Sequence, residues 1–442
     1  MNRSSRQPVR RSMRSAVAAT VALSLAVNAA PAVADPAPAP SAIPVQHSAT
    51  DFQHVMKQHV VIAGVKAQAP AALAAAVAVA AVLGGIGVAI LSALTNAFGS
   101  SSPLGSSNQK PADTNPADPE PAAQAAEYVN RFDFGAVSAE KAIGGLSGIE
   151  YVGNGRYIAI SDDKNEHGPI RAYYFQTRDL KQFEEDGMVA LTNAAGAEYA
   201  EFTDAEEIRL LPNGNFLWTT EGDAREGQVV PPQLVESKPD GKEVRRIDMP
   251  EYHVPDGKTT RGVYHNNGPE AMAVLPGGKT AVTINENALA QDGKANSPEN
   301  SSLSRVTFFD LKTGQPTKEY AVGVDAGRGV TSVIADEHGT LYMLERGFFK
   351  DLGENGENRA EIYKLDLTGA EDVLDKEALD GGEATVGKSK ILDFAAHPPH
   401  PDNVEGLAWG PVREDGHRTM IVVSDDNFND TQTTLFHTLL LP

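Results

Sequence analysis

The stretch NVEGLAWGPVREDGHRTMIVVSDDN, residues 403–427, contains the pattern that determines the fold. It opens with a short apolar strand that carries an acid at Glu405, passes through a glycine-containing turn and continues into a second apolar strand. That second strand ends in the acidic pair Asp425-Asp426. Two apolar strands joined by a glycine-containing turn indicate a β-hairpin.

Four other segments have the same layout of strand, glycine turn, strand and polar or acidic ending. They run from Leu146 to Asp163, from Asp204 to Asp223, from Gly268 to Asn287 and from Gly329 to Gly347. Turns such as Pro212-Asn213-Gly214-Asn215 supply the positive φ that hairpins require. Further alternating strands, at 305–310 and 361–365, lie between the copies. Periods of tens of residues with several strands each are typical of propeller blades.

The sequence therefore predicts an all-β propeller of about six blades over residues 128–442. The strand at 434–440 is expected to close the ring against the strand at 129–134.

The segments before the propeller have the composition of targeting and linker sequence. Residues 1–34 are predicted to be a signal peptide, because five arginines without an acid precede an apolar stretch and the small residues Ala32-Val33-Ala34. An uncleaved anchor is the alternative. Residues 35–70 form a short N-terminal region. Residues 95–127 are rich in Ala, Ser and Pro with few large apolar residues, which predicts a disordered linker.

The apolar segment 71–94 is long enough to span a bilayer as a helix. Its Ala- and Gly-rich composition drives insertion weakly, and the nearest positive charges, Lys57 and Lys66, precede it. We expect an exported, extracellular or envelope-associated protein in which this segment is a possible membrane anchor. A spacer helix without a membrane role is the alternative.

Composition excludes several classes of site and partner. The chain has no cysteine, which excludes a disulfide scaffold, a thiol nucleophile and a zinc–thiolate site. Its formal charge is −21, and removal of the five arginines in residues 1–34 takes it to about −26. Such a surface repels nucleic acid, so no nucleic-acid partner is expected. It also repels a phosphorylated substrate unless a metal or local arginines intervene.

Acids recur at the same two places in the copies. The strand-opening acids are Glu150, Glu206, Glu270 and Glu405, and the strand-closing acids are Asp162, Asp163, Glu221, Asp223, Glu286, Glu345, Asp425 and Asp426. In a propeller the innermost strands line the central channel, so recurring acids become a ring that faces one cavity. Converging carboxylates require shared protons or a hard cation, and calcium suits such oxygen ligands. The alternative is that these acids cap turns.

The motifs also resemble a known family. Gly145-Leu146-Ser147-Gly148-Ile149 with Ser161-Asp162-Asp163, Leu344-Glu345-Arg346-Gly347, and the opening and closing of residues 403–428 are similar to the phytase-like proteins with esterase-like activity. The resemblance covers nearly all of residues 140–440. Two positions depart from it, since Glu207 and Ala271 stand where the family usually has glycine.

The resemblance implies hydrolysis of a phosphoric or carboxylic ester. A serine-nucleophile esterase is disfavoured, because the chain has no Gly-x-Ser-x-Gly elbow and Ser147 opens a strand. The recurring acids and the resemblance together predict a calcium-assisted hydrolase of a small-molecule ester, and a phosphate monoester is the favoured substrate. The alternative is a non-catalytic binding module of the cell envelope.

Roles are predicted for individual residues of this site. Calcium is expected to bind to Glu150, Asp162, Asp163, Glu206, Glu221, Glu270 and Glu345. Catalysis is assigned to Glu405, Asp425, Asp426 and Arg346, and substrate binding to Arg305, His265 and Asn266. The guanidinium group of arginine binds phosphate well through two hydrogen bonds. For Arg346 the alternative is a salt bridge to Glu345 or another rim acid.

Overall fold

The structure is a computed structural model that describes residues 125–135, 143–199, 203–225 and 229–441. The predicted signal peptide, the region 35–70, the apolar segment 71–94 and nearly all of the linker lie outside the described residues. The described residues form five antiparallel sheets of four strands each and two short 3-10 helices, Glu251–His253 and Phe394–Ala396. None of their helices has the length and apolarity needed to cross a membrane.

Each sheet is one blade of a propeller. The first strand, β1 (Glu127–Asp133), belongs to the last blade. Blade 1 consists of β2 (Leu146–Gly153), β3 (Arg156–Ser161), β4 (Arg171–Gln176) and β5 (Glu184–Ala190). Blade 2 consists of β6 (Ala205–Leu210), β7 (Phe216–Thr220), β8 (Gln233–Ser237) and β9 (Glu243–Asp248).

The remaining blades follow in chain order. Blade 3 consists of β10 (Ala271–Val274), β11 (Thr280–Ile284), β12 (Ser302–Asp310) and β13 (Gln315–Val324). Blade 4 consists of β14 (Gly329–Ala335), β15 (Leu341–Phe349), β16 (Glu357–Asp366) and β17 (Gly387–Asp393). Blade 5 consists of β18 (Asn403–Val412), β19 (Arg418–Asp425), β20 (Leu435–Leu441) and β1.

The predicted all-β propeller is confirmed, with five blades in the described residues where about six were expected. Two strands that lie between the sequence copies, at 305–310 and 361–365, belong to β12 and β16, the third strands of blades 3 and 4. They extend existing blades and do not start new ones. The predicted ring closure is confirmed, because β1 pairs with β20 and sets Phe132 opposite Phe436.

The hydrophobic core lies between the blades. Five clusters of buried residues occupy the five interfaces between neighbouring sheets. At the interface of blades 5 and 1, the rings of Phe183 and Phe436 stack with their centroids 4.2 Å apart. Burying one such side chain contributes about 1.5–3 kcal/mol, so the interfaces fix each blade against the next. The innermost strands β2, β6, β10, β14 and β18 thereby surround a central channel.

Candidate functional site

The innermost strands carry an irregularity near their starts. In β2, β6, β14 and β18 the pairing with the second strand shifts register, between Leu146 and Ile149, Ala205 and Ile208, Val330 and Ser332, and Val404 and Gly406. In β10 the pairing begins only at Ala271, directly after Glu270. A β-bulge bends its strand and re-aims a side chain. Each irregularity falls at the position of the recurring strand-opening residue.

Five equivalent residues therefore occupy this position, one from each blade. They are Ser147, Glu206, Glu270, Thr331 and Glu405, and all of them are buried. The blades differ in chemistry, because blades 2, 3 and 5 supply carboxylates while blades 1 and 4 supply hydroxyls. The Ser147 hydroxyl donates a hydrogen bond of 2.7 Å to Oε2 of Glu206, which links two neighbouring blades.

The second strands bring a further residue from each blade to the same end of the channel. These residues are Asp162, Glu221, Glu286, Arg346 and Asp425. The backbone N–H groups of Asp162, Glu221 and Glu286 donate to the carbonyls of Gly145, Asp204 and Gly268 at 2.9, 3.1 and 2.7 Å. Arg346 and Asp425 pair in register with Gly329 and Asn403. Four of the five blades thus close with an acid and blade 4 with an arginine.

Together these residues and Asp204 form what we call the acidic cup. Its carboxylates are Asp162, Asp204, Glu206, Glu221, Glu270, Glu286, Glu405 and Asp425. Seven of them fall into three overlapping triads whose carboxylate oxygens lie within 4.8 Å of one another: Asp162, Glu206 and Glu405; Asp204, Glu206 and Glu221; Glu221, Glu270 and Glu286.

Two glycines make room for this crowding. A Cβ on Gly329 would collide with the Glu286 carboxylate, and a Cβ on Gly268 would collide with the backbone of Glu221. The N–H of Gly268 also donates to Oε1 of Glu221 at 2.8 Å. Glycine at these two positions therefore allows the blade ends to approach each other closely.

Two cationic side chains pair with the cup among the described residues. The Arg346 guanidinium donates to Oε1 of Glu405, which also accepts from the Asn403 amide at 2.8 Å. The Lys164 ammonium lies 2.6 Å from Oδ2 of Asp204 and donates to the side-chain carbonyl of Asn266. Eight carboxylates thus face two cations, which leaves the cup with a large excess of negative charge.

Burial and then mutual repulsion raise the pKa values of the cup acids. Burial and then neighbouring Glu221 raise the pKa of Asp204 to about 8, although Lys164 opposes the shift. Burial and then Glu206 raise the pKa of Glu221 to about 8. The pKa of Glu270 lies well above its ordinary value, because of burial and then of Glu286. Without a further cation, several of these carboxyl groups keep their protons at neutral pH.

Some of the cup oxygens accept no hydrogen bond from an N–H group, a hydroxyl group or a cation, although Asp204 shares protons with Glu206 and Glu221. They are Oδ1 of Asp204, Oε2 of Glu221 and Oε2 of Glu270, and each atom is buried. A buried unsatisfied carboxylate oxygen is costly, and metal coordination is one way to satisfy it. The donor set consists of oxygens alone, which suits calcium or magnesium better than zinc. The residues of the cup therefore fit a hard divalent cation.

Below the cup, the channel contains a second charged group that we call the plug: Glu207, Arg209 and Ser332. Nη1 and Nη2 of Arg209 donate to Oε1 and Oε2 of Glu207, each at 2.8 Å. Arg209 also donates to the carbonyls of Ile149 in blade 1 and Val333 in blade 4, at 2.8 and 2.9 Å. The Ser332 hydroxyl donates to Oε2 of Glu207 at 2.5 Å. The plug thus ties three blades together across the channel.

Comparison with known proteins gives the family. The family model for phytase-like proteins, described as esterase-like activity of phytase, matches residues 141–428. The chain belongs to the phytase-like family. The domain is accordingly a propeller of the hydrolase type, with a small-molecule ester as the class of substrate that the family suggests. A search among curated proteins found no match.

Solved structures similar to this phytase-like chain are distant. A protein from Parabacteroides distasonis ATCC 8503 assigned as a glycoside hydrolase is 12% identical with a TM-score of 0.37, over 73% of this chain and 95% of its own. A thermostable family-43 glycoside hydrolase is 12% identical with a TM-score of 0.35, over 67% and 89%. The Dos1 propeller is 9% identical with a TM-score of 0.30, over 67% and 68%. These likenesses are too distant to inform substrate or mechanism.

The phytase-like propeller brings many of the predicted site residues together. Asp162, Glu206, Glu221, Glu270, Glu405, Asp425 and Arg346 all lie in or on the cup. Asp426 lies beside it, where its Oδ1 accepts from the N–H groups of Gly145 and Phe428, each at 3.1 Å. The alternative for Arg346 was a salt bridge to Glu345 or another rim acid. Arg346 does form a salt bridge, and its partner is Glu405 and not Glu345.

Three predicted metal ligands of the phytase-like domain lie outside the cup. Asp163 pairs with Arg171, and Glu345 accepts from Lys388 at 2.6 Å. Neighbouring residues of β15 face opposite sides, so Arg346 faces the cup while Glu345 faces away. Asp162 and Asp163 follow the end of β3 at Ser161, and of these two Asp162 lies among the cup acids. Glu150 lies beyond the plug, with its Oε2 3.8 Å from Nη1 of Arg209.

The three predicted substrate-binding residues are placed differently. Arg305 is fully buried and donates to Asp292 and Glu319 at 2.6 and 2.7 Å, so it contacts no acid of the cup. His265 lies at the rim, with Nδ1 3.6 Å from Oδ1 of Asp223. Asn266 also lies at the rim, where it accepts from Lys164.

Sequence reasoning missed two residues of the phytase-like site. Asp204 was not among the recurring acids, although it lies two residues before Glu206 and such spacing places both on one face of a strand. Lys164 follows Asp162-Asp163 in a loop whose residues Lys164 and Asn165 have positive φ values of 44° and 63°. Nothing in the sequence indicates that this backbone conformation would bring the ammonium over the cup.

Proposed function

We propose that the propeller is a calcium-assisted hydrolase of phosphate monoesters that acts at the acidic cup. The observation that carries this proposal is the excess of carboxylates in the cup, three of whose buried oxygens accept no hydrogen bond from an N–H group, a hydroxyl group or a cation. A cluster that only capped turns would have its oxygens satisfied by backbone N–H groups. Membership of the phytase-like family supports the same class of reaction.

The triads that share Glu221 are the proposed cation ligands. Asp204, Glu206 and Glu221 form one of them, and Glu221, Glu270 and Glu286 form the other. A calcium ion held by these carboxylates would supply a Lewis acid for a phosphoryl oxygen and would lower the pKa of a coordinated water. The unpaired oxygens of Glu221 and Glu270 are the atoms best placed to bind the ion.

Arg346 is the proposed anion ligand. It is the arginine among the five strand-closing positions, and its side chain is 17% exposed. Acids of the cup raise its pKa further, so it stays charged at every working pH. A guanidinium binds two phosphate oxygens at once, and it neutralises the charge that develops as the ester bond breaks.

Asp425 is the proposed proton carrier. Burial and then the charge of Glu405 raise its pKa well above the ordinary value, which favours the protonated form of its carboxyl group. The Asn427 N–H donates to Oδ1 at 2.8 Å, which fixes the orientation of the carboxyl group. Asp425 can therefore protonate the oxygen of the leaving alcohol.

The test is hydrolysis of a panel of phosphate monoesters by the full chain, with calcium and with a chelator. We expect calcium-dependent turnover that Glu221→Gln abolishes and that Glu184→Gln, on the exposed outer strand of blade 1, leaves unchanged. Absence of calcium-dependent turnover on every ester would contradict the proposal. If neither Asp425→Asn nor Glu405→Gln changed the rate of hydrolysis, the result would favour the alternative function, a non-catalytic binding module.

We further propose export, on the evidence of residues 1–34 and the linker composition. Protease added to intact cells is expected to digest the propeller. Protection until the cytoplasmic membrane is broken would contradict export. Deletion of residues 71–94 tests the anchor, because an anchored chain becomes soluble in the medium only after the deletion.

A further inference from the structure

The end of the channel opposite the cup contains a cavity of about 310 Å³. All five blades line it, for example through Glu150, Leu211, Leu275, Ile334 and Trp409. Its walls are mainly aliphatic and aromatic, and Arg209 of the plug borders it. The volume lies at the lower end of the roughly 300–1,000 Å³ that small-molecule sites occupy.

Glu150 supplies the carboxylate of this cavity. Its side chain is 23% exposed, and its Oε2 lies 3.8 Å from Nη1 of Arg209, which is beyond hydrogen-bonding distance. Arg209 already donates to both oxygens of Glu207 and to the carbonyls of Ile149 and Val333. The nearest guanidinium therefore makes its hydrogen bonds to other acceptors, and its ion pair with the Glu150 carboxylate, at 3.8 Å, includes no hydrogen bond.

Trp409 forms a fixed aromatic wall. Its indole N–H donates to the carbonyl of Ala335 at 2.6 Å. The guanidinium of Arg418 lies 4.4 Å from the ring centroid on one side, and Tyr342 meets the ring edge-on at 5.5 Å. These contacts hold the ring without filling the cavity, which leaves an apolar surface beside a carboxylate.

We propose that this cavity binds a small primary amine with an apolar body, whose ammonium pairs with Glu150 and whose body packs against Leu275, Ile334 and Trp409. The carboxylate disfavours an anionic ligand, so the phosphate esters of the proposed reaction are not candidates for this site. The plug separates the cavity from the acidic cup, which makes the two sites distinct in chemistry and in position.

The test uses benzylamine as the probe and tryptophan fluorescence of the full chain as the readout. The chain has two tryptophans, and Trp218 is fully buried in blade 2, so a change on binding reports Trp409. We expect a saturable change that is lost in Trp409→Phe. Glu150→Gln is expected to weaken binding about tenfold or more, as loss of a charge-assisted hydrogen bond predicts.

Three controls make each outcome decisive. Glu184→Gln, an exposed acid of the same blade, is expected to bind benzylamine as the unaltered chain does. Ala335→Phe, which fills the cavity and keeps Glu150, is expected to abolish binding even if Glu150→Gln fails to fold. Benzyl alcohol has the same size without the charge and is expected to bind at least tenfold more weakly. Equal binding of alcohol and amine, or no saturable change, would overturn the proposal.

Discussion

The cup and the plug lie in the same channel and are built from neighbouring residues, yet their charges are organised in opposite ways. Glu206 belongs to the cup and Glu207 to the plug. Both oxygens of Glu207 accept from Arg209 and one also accepts from Ser332. The cup instead sets eight carboxylates against Arg346 and Lys164, and three of its oxygens accept no hydrogen bond from an N–H group, a hydroxyl group or a cation. The carboxylate and the guanidinium of the plug pair with each other, which suits a structural role, whereas the excess carboxylates of the cup are suited to bind a cation.

The largest expected effect is on the plug. Arg209→Met leaves Glu207 buried without its bidentate partner, so we expect the free energy of unfolding to fall by about 3–5 kcal/mol. Denaturant unfolding measures this change. Arg178→Met, on the exposed surface of blade 1, is the control and is expected to change it by less than about 0.5 kcal/mol.

A double variant sharpens this result. Glu207→Gln combined with Arg209→Met removes both charges, and we expect it to be more stable than Arg209→Met alone because no unpaired carboxylate remains. If the double variant were the less stable of the two, the uncompensated carboxylate would not be the cause of the loss.

The second prediction concerns the arginine of the cup. Arg346→Met is expected to lower kcat for phosphate monoesters by about 10²–10³, because one charged group that stabilises the transition state is lost. Arg346→Lys keeps the charge without the fork, so its loss should be intermediate. Steady-state kinetics with saturating calcium measure both. A kcat of Arg346→Met within threefold of the unaltered chain would remove Arg346 from the reaction.

The third prediction concerns the pH dependence of stability. Asp204 and Glu221 have a folded-state pKa of about 8, above the value of about 4 expected in the unfolded chain. Their contribution to stability is therefore fully present below pH 4 and is lost as the pH rises through 8. We expect the metal-free protein to melt several degrees lower at pH 8.5 than at pH 5.5.

Calcium should reverse this trend, because it binds the ionised carboxylates of the native state. The measurement is thermal melting at both pH values, with calcium and with a chelator. The Asp204→Asn, Glu221→Gln double variant is the control and is expected to reduce the pH dependence of the metal-free protein. A calcium-induced shift of Tm that was equal at both pH values would contradict this account.

The repeats predicted much of the site, because an acid that recurs at one place in each blade must return to the channel. Glu206, Glu270, Glu405 and Asp425 were found in this way. The blade count was overestimated because the outer strands of a blade alternate like the inner ones. The catalytic and metal-binding roles of these residues stay predictions. The spacing of the repeats gave no information on whether Arg305 would reach the channel.

Arg305 shows what the sequence could not supply. Its guanidinium is held by Asp292 and Glu319, which lie 13 and 14 residues away, and by the carbonyl of Lys376. Only the folded chain brings these acceptors together. The prediction that Asp163 and Glu345 bind metal could have been avoided more simply. When the strand-closing residues of the blades are aligned by strand register, Asp162 and Arg346 occupy the position at the channel, and Asp163 and Glu345 do not.

The smallest expected effects separate the cup and the plug through two serines. Ser147 donates to Glu206 at 2.7 Å, and Ser332 donates to Glu207 at 2.5 Å. In the plug, Ser332→Ala removes this bond and also the acceptor of the Leu407 N–H at 3.1 Å, so we expect the free energy of unfolding to fall by about 1–3 kcal/mol.

In the cup, Ser147→Ala removes a partner of an acid that we propose to bind calcium. Its stability without metal should change by less than about 1 kcal/mol, because burial and then Asp204 raise the pKa of Glu206, and a protonated carboxyl group needs this donor less. Its affinity for calcium should fall by about threefold to tenfold, since Glu206 loses the bond that orients it. Calorimetric titration with calcium and denaturant unfolding of both variants measure the two effects. The distinction between the two regions fails if Ser332→Ala alters calcium affinity as much as Ser147→Ala does.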